Sequence, residues 1–121
     1  MENMTADGWA AVFCLVFIVA DYVSGVVKAV KMKSLDSTKM REGLWHKLGF
    51  IGAMALGYGC QLACNFDILP QSFSAIFGAV CVYVYITEAI SIFENLCELS
   101  PELAQSPLAQ LLKLKGEGND D

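Results

Sequence analysis

The sequence predicts an all-α membrane protein: three transmembrane helices, a basic cytoplasmic loop between the first two, and a short polar, amphipathic C-terminal tail. Three observations lead there. Of the 121 residues, 55% are hydrophobic and 17% are charged, whereas soluble domains hold roughly 45–50% apolar and about 25% charged residues. The apolar residues are bunched into three long blocks instead of being spread along the chain. Six of the eight basic residues, Lys28, Lys31, Lys33, Lys39, Arg41 and Lys47, fall between the first two blocks, where a topology signal belongs. The length suits one domain, 1–121, with spans at about 9–27, 48–65 and 73–93 and a tail from 94 to 121.

The first block, Trp9 to Val27, has nineteen residues and a single charge, Asp21. At about 1.5 Å rise per residue it covers roughly 28 Å, the hydrocarbon thickness of a bilayer. Helix should continue into KAVKMK, whose lysines can snorkel to the headgroups. The first eight residues carry Glu2 and Asp7 and no base, the wrong charge for the start of a signal peptide.

Residues 28–47 are expected to form the basic loop. Ser34-Leu-Asp-Ser37 has turn chemistry and Gly43 punctuates it again. Trp45 and His46 mark the return to the interface, where Trp is favoured.

The second block, LGFIGAMALGYGCQLACN, spans Leu48 to Asn65 and is rich in small residues. Gly49, Ala53 and Gly57 fall four apart, a spacing that lets another helix approach closely in lipid, from the same chain or from a second copy. Phe66 to Ser72 contains Asp67 and Pro70, which break helix and imply a tight antiparallel hairpin.

The third block, Phe73 to Phe93, holds one charge, Glu88. Ser74 and Gly78 repeat the small-residue spacing. Its VCVYVYI run alternates like a strand, but an open strand in lipid would leave backbone groups unpaired at several kcal/mol each, so helix is favoured. In the tail, Ser100-Pro101-Glu102 reads as a helix start with Pro at the first helical position. Leu103, Leu108, Leu111 and Leu112 suit a short interfacial helix, which Pro107 divides into two pieces. The final GEGNDD is expected to be disordered.

The positive-inside rule places loop 28–47 in the cytoplasm. Three spans then put the N-terminus outside and the C-terminus inside, and Lys113 and Lys115 agree. The overall charge of −5 comes from acids clustered mostly at the chain ends. The basic stretch is therefore read as a topology signal and not as a nucleic-acid site.

Asp21 and Glu88 carry most of the functional information. A carboxylate near the bilayer centre costs about 2.5–3.5 kcal/mol even on a lenient scale, and such residues face a partner, water or a function. Asp21 lies about 18 Å along its helix from Trp9, and Glu88 about 22 Å from Phe73, so both belong to the inner half at similar heights. Asp21, Ser24, Gly25 and Lys28 share one helical face, as do Glu88, Ser91 and Asn95. Two uses are open. The stripes face each other within one chain, with Lys28 or Lys31 pairing Glu88, or they line a water-filled space in an oligomer.

Little points to other chemistry. The cysteines Cys14, Cys60, Cys64, Cys81 and Cys97 show no metal-ligand spacing. Cys60 and Cys64 share a helical face, but buried free Cys behaves as a small hydrophobe. There is no nucleophile–base pair and no Gly-rich phosphate loop, so neither an enzyme nor a cofactor is expected. Tyr58, Tyr83 and Tyr85 are read as packing or interface residues.

The stretch DYVSGVVKAVKMKSLDSTKMREGLWHKLG resembles the start of the bacteriophage holin family of the toxin-secretion/phage-lysis type. Its matching positions are Asp21, Gly25, Lys28-Ala29, Ser37, and Gly43 followed by Lys47. YITEAISIFENLCELSPELAQSPLAQLL resembles that family's closing signature through Glu88, Ser91-Ile92, Glu94-Asn95 and Pro107-Leu108. Where the family often has Gly-x-Pro after Glu-Asn, this chain has Cys97-Glu98-Leu99-Ser100-Pro101. The resemblance implies a homo-oligomer in the host cytoplasmic membrane. It would open lesions that release a cytoplasmic endolysin, or a toxin in some clostridial relatives, and an antiholin is a possible further partner. Met1 and Met4 resemble the dual starts of some holins. Competing readings are a small ion channel or transporter subunit, and a non-conducting antiholin or scaffold pairing through Gly49, Ala53 and Gly57. No internal repeat of the transporter kind is visible.

Overall fold

A computed structural model describes residues 5–116. The Met1/Met4 dual start lies outside the described residues, as do residues 117–121 of the GEGNDD tail expected to be disordered; its first residue, Gly116, instead ends α5. Within them, all regular structure is helical: α1 (Ala6–Lys31), α2 (Ser37–Asn65), a 3-10 turn (Gln71–Ala75), α3 (Ile76–Leu99), α4 (Pro101–Ala104) and α5 (Pro107–Gly116).

α1 begins where the Thr5 hydroxyl accepts a hydrogen bond from the Gly8 amide at 3.2 Å. It ends where Lys33 takes a left-handed backbone (φ 52°) and the Ser34 amide reaches back to the Ala29 carbonyl at 2.9 Å. This closure satisfies a carbonyl that the helix end would otherwise orphan. Asp67 (φ 59°) stops α2 in the same way, with the Ile68 amide on the Ala63 carbonyl at 2.8 Å. The hairpin after α2 is tied by the Cys64 thiol donating to the Pro70 carbonyl (3.2 Å) and the Gln71 side-chain amide donating to the Cys64 carbonyl (3.0 Å).

The expected basic loop 28–47 requires correction. Only residues 32–36 are non-helical; the rest of the stretch belongs to α1 and α2. The turn chemistry of Ser34–Ser37 is used, but the Asp36 carboxylate accepts from the Thr38 amide at 2.9 Å and restarts helix at once. No proline interrupts TKMREGLWHK, and Gly43 is absorbed in the helix interior. The tail forms the two expected short pieces, with the Ser106 hydroxyl capping α5 through the Ala109 amide at 3.3 Å.

Each long helix buries one face at alternating three- and four-residue spacing, the pattern of a coiled-coil seam. On α1 the seam is Asp7, Ala11, Cys14, Ile18, Asp21, Gly25 and Lys28; on α3 it is Phe77, Cys81, Val84, Glu88, Ser91 and Asn95. On α2 it runs Met40, Gly43, Lys47, Phe50, Met54, Gly57, Gln61 and Cys64. α3 packs against both α1 and α2. The seams meet in layers. At one end the Gln61 amide donates to the Asp7 carboxylate. Cys14, Ile18, Met54, Phe77, Cys81 and Val84 form the apolar middle, and a charged layer lies at the other end.

The outward faces are apolar too. Phe13, Val16, Val19, Val23 and Val27 of α1, Leu48, Ile51 and Leu56 of α2, and Val82 and Ile86 of α3 are all exposed. A water-soluble bundle would carry polar residues there; continuous apolar exposure on this scale suits lipid. α1 and the stretch Gln71–Leu99 are each long and apolar enough to cross a membrane. α2 is as long, with 29 residues, but its first turns carry Lys39, Arg41, Glu42, His46 and Lys47, and glycines dilute its apolar part. Three of the four tyrosines pack on neighbouring helices: Tyr85 stacks on Phe17 at 4.3 Å between ring centroids, Tyr58 meets Phe77 edge-on at 5.5 Å, and Tyr83 meets Phe50 at 6.0 Å.

Candidate functional site

The charged layer is built from one residue of each long helix. Lys47 of α2 donates to the Asp21 carboxylate of α1 at 2.7 Å and to the Glu88 carboxylate of α3 at 3.0 Å. The three side chains are 12%, 13% and 3% exposed, respectively. The helical rise explains the level meeting of the two acids, since each lies about 20 Å from the far end of its block. Lys47 reaches them because it occupies the α2 seam one step before Phe50, so its stem points between α1 and α3.

Asn95 extends the network. Its amide donates to the Asp21 carboxylate at 3.1 Å and to the Ser24 hydroxyl at 2.9 Å. Ser24 in turn donates to the Asp21 backbone carbonyl at 3.1 Å. Gly25 sits against this network: a Cβ added there would lie 3.6 Å from the Asn95 amide nitrogen, an ordinary contact distance. Among the described residues no buried side-chain polar atom lacks a hydrogen-bond partner. That matters because in a low-dielectric interior each orphaned group would cost about 1–3 kcal/mol.

The cation is thus Lys47, not the Lys28 or Lys31 expected from the sequence. Lys31 is spent elsewhere, donating to the Leu99 carbonyl at 3.0 Å and tying the end of α1 to the end of α3. Lys28 lines a cavity of about 360 Å³ that adjoins the network and is also walled by Ser34, Asp36, Lys39 and Ser91. Lys33, Lys39 and Arg41 are exposed. Apart from its place in the family resemblance, Lys47 read in the sequence as one more basic residue of a loop. Its seam position, in step with Phe50, Met54 and Gly57, was the available signal.

The small residues divide. Gly57 is a close-approach point: a Cβ there would fall 2.9 Å from the Phe77 Cα. Gly49 and Gly78 have open space where a Cβ would be, and Ala53 is half-buried. A strict four-residue spacing drifts about 40° around the helix at each step, which turns Gly49 away from the face that Gly57 uses. Ser74 spends its hydroxyl inside the 3-10 turn, on the Gln71 carbonyl at 2.6 Å. Cys14 donates to the Cys81 carbonyl at 3.3 Å across the α1–α3 contact, and all five cysteines are free.

The arrangement holds three helices together at one level and keeps two carboxylates and one ammonium out of lipid. Comparison with known proteins places the same residues in a wider setting. Residues 4–115 match the model of the bacteriophage holin family. The chain is 37% identical over 101 residues to an uncharacterized protein of Clostridium perfringens (strain 13 / Type A), covering 80% of this chain and 70% of that one. It is also 37% identical over 101 residues to an uncharacterized 14.9 kDa protein from the nagH 3′ region of Clostridium perfringens, covering 72% of it. No solved structure matches. Asp21, Gly25, Lys47, Glu88 and Asn95, positions on which the sequence resemblance rests, converge in the charged layer.

Proposed function

The chain belongs to the bacteriophage holin family, and we propose that it oligomerises in the bacterial cytoplasmic membrane and opens lesions that release endolysin, or a toxin, for lysis. The family match across residues 4–115 carries this reading. The exposed apolar faces of all three long helices support it.

In this reading the chain crosses the membrane three times, with α1, the second half of α2 and α3 as spans. The N-terminus is outside and the C-terminus cytoplasmic. α2 would be roughly 44 Å long at helical rise, against about 30 Å of hydrocarbon. Its basic first turns therefore project from the cytoplasmic face as helix, and the positive-inside rule applies to them unchanged.

The charged layer gives the chain two states. In a single chain, Lys47 neutralises Asp21 and Glu88 and hides them from lipid. In an assembly, the same polar stripes (Asp21, Ser24 and Lys28 on α1; Glu88, Ser91 and Asn95 on α3) exchange partners and face the water of the lesion. Gly49 and Gly78, open in one chain, are free for contact with a second copy. Endolysin is a functional partner that needs no direct contact.

The test is culture turbidity after induction, with and without a co-expressed endolysin that lacks a secretion signal. Abrupt clearing that requires both proteins is expected. Ion leakage without endolysin-dependent clearing would replace this reading with a narrow channel. No leakage, with the protein in the membrane, would replace it with an antiholin or scaffold.

A further inference from the structure

The cavity beside the charged layer is walled on one side by the network residues Asp21, Lys47 and Asn95, and the rest of its lining has a chemistry of its own. It measures about 360 Å³ and lies between the last three turns of α1, the 32–36 turn, the first turns of α2 and the Ser91–Asn95 turn of α3. That volume falls in the range of small-ligand sites. Of its three lysines, Lys47 is bound to Asp21 and Glu88. Of its two acids, Asp21 is held by Lys47 and Asn95, and Asp36 caps α2. Lys28 and Lys39 remain, and neither makes an ion pair among the described residues.

We propose that this cavity binds the phosphate headgroup of an anionic phospholipid, with Lys28 and Lys39 as the phosphate ligands. Lys28 lies seven residues beyond Asp21, about 10 Å further along α1, which moves it from the hydrocarbon to headgroup depth. Ser34 and Ser91 also line the cavity, and serine side chains suit the hydroxyls of a glycerol headgroup. The helices that form the cavity also carry exposed Val23, Val27, Leu44 and Leu48. A headgroup seated between them has apolar surface beside it for its acyl chains, and a soluble phosphate would leave that surface unused. Basic pockets between membrane helices on the cytoplasmic side suit such lipids. The proposal requires only that the chain is embedded in a membrane, so it stands or falls apart from lesion formation.

The test uses the full chain in neutral detergent, titrated with phosphatidylglycerol or phosphatidylcholine of the same acyl chains and read by native mass spectrometry. Phosphatidylglycerol should be retained in preference. Lys28→Gln with Lys39→Gln should weaken that retention roughly tenfold. Lys33→Gln with Arg41→Gln removes the same charge from exposed positions outside the cavity and should leave retention unchanged. Equal retention of the two lipids, or equal losses in the two double variants, would overturn the site in favour of diffuse surface attraction. Displacement of the lipid by millimolar glycerol 1-phosphate would overturn the lipid as occupant and assign the cavity to a soluble phosphate; failure to displace it supports the lipid. A photoactivatable phosphatidylglycerol should crosslink to peptides covering residues 25–43 in the unaltered chain, and crosslinks confined to other segments would also overturn the site.

Discussion

Removing the Lys47 ammonium tests the charged layer most directly. In Lys47→Met the apolar stem is kept and only the charge is lost. Because Asp21 and Glu88 bind the same nitrogen at 2.7 and 3.0 Å, their oxygens stand no more than roughly 6 Å apart. At an effective dielectric near 20, two carboxylates at that distance repel by about 3 kcal/mol. Breaking a buried ion pair from one side costs about 3–5 kcal/mol for a similar reason: a charge is left without compensation. The two figures describe one effect and are not added. Neutralising all three groups together, as Asp21→Asn, Lys47→Met and Glu88→Gln, should recover most of the loss, since replacing a whole buried ionic cluster is near neutral.

The assay is unfolding of the purified protein in mixed micelles by sodium dodecyl sulfate, followed by helicity and by the fluorescence of Trp9 and Trp45. Lys47→Met should lose several kcal/mol, the triple variant much less, and Lys28→Met little. If Lys47→Met stays within about 1 kcal/mol of the unaltered chain, or if the triple variant is no better than the single one, the carboxylates do not depend on Lys47 and the argument from geometry fails. In cells, Lys47→Met should bring lysis forward by loosening the single-chain state. Asp21→Asn and Glu88→Gln should delay it by removing charges that favour the water-filled state. Unchanged timing in both acidic variants would remove the charged layer from the lysis mechanism.

Four further outcomes are expected. Asn95→Leu removes the donor shared by Asp21 and Ser24 and should destabilise the bundle by about 1–3 kcal/mol in the same titration. Gly57→Val drives a side chain into the Phe77 backbone and should cost about 1–3 kcal/mol. Gly49→Val meets open space and should leave single-chain stability alone, so any delay it causes in lysis reports contact between copies. In a cysteine-free background, a membrane-impermeant thiol reagent should label Ile68→Cys in intact spheroplasts and Ser34→Cys only after permeabilisation. The reverse pattern would invert the topology.

The features legible from the sequence are those that a single helix dictates by itself. Block lengths, the Asp67–Pro70 hairpin, the division of the tail at Pro107 and the common height of Asp21 and Glu88 all follow from helical rise and local backbone chemistry. Lys47 as the partner cation does not. Six basic residues look alike when counted as a topology signal, and which one turns inward is set by rotation about the α2 axis. That phase was available in the chain, because Lys47 continues the spacing of Phe50, Met54, Gly57, Gln61 and Cys64. It becomes visible only when α2 is extended back through its polar first turns. Treating 28–47 as a loop cut the seam at Leu48 and left the regular spacing of Gly49, Ala53 and Gly57 as the most prominent pattern. Of its two glycines only Gly57 makes a close contact, because a spacing of four drifts off the face while alternating three and four stays on it. The same phase separates the roles left for the small residues. Gly57 is consumed inside the chain. Gly49 and Gly78 lie on surfaces that the single chain leaves open, as do Gly52 and Gly59, and those surfaces are available for close packing by a second copy.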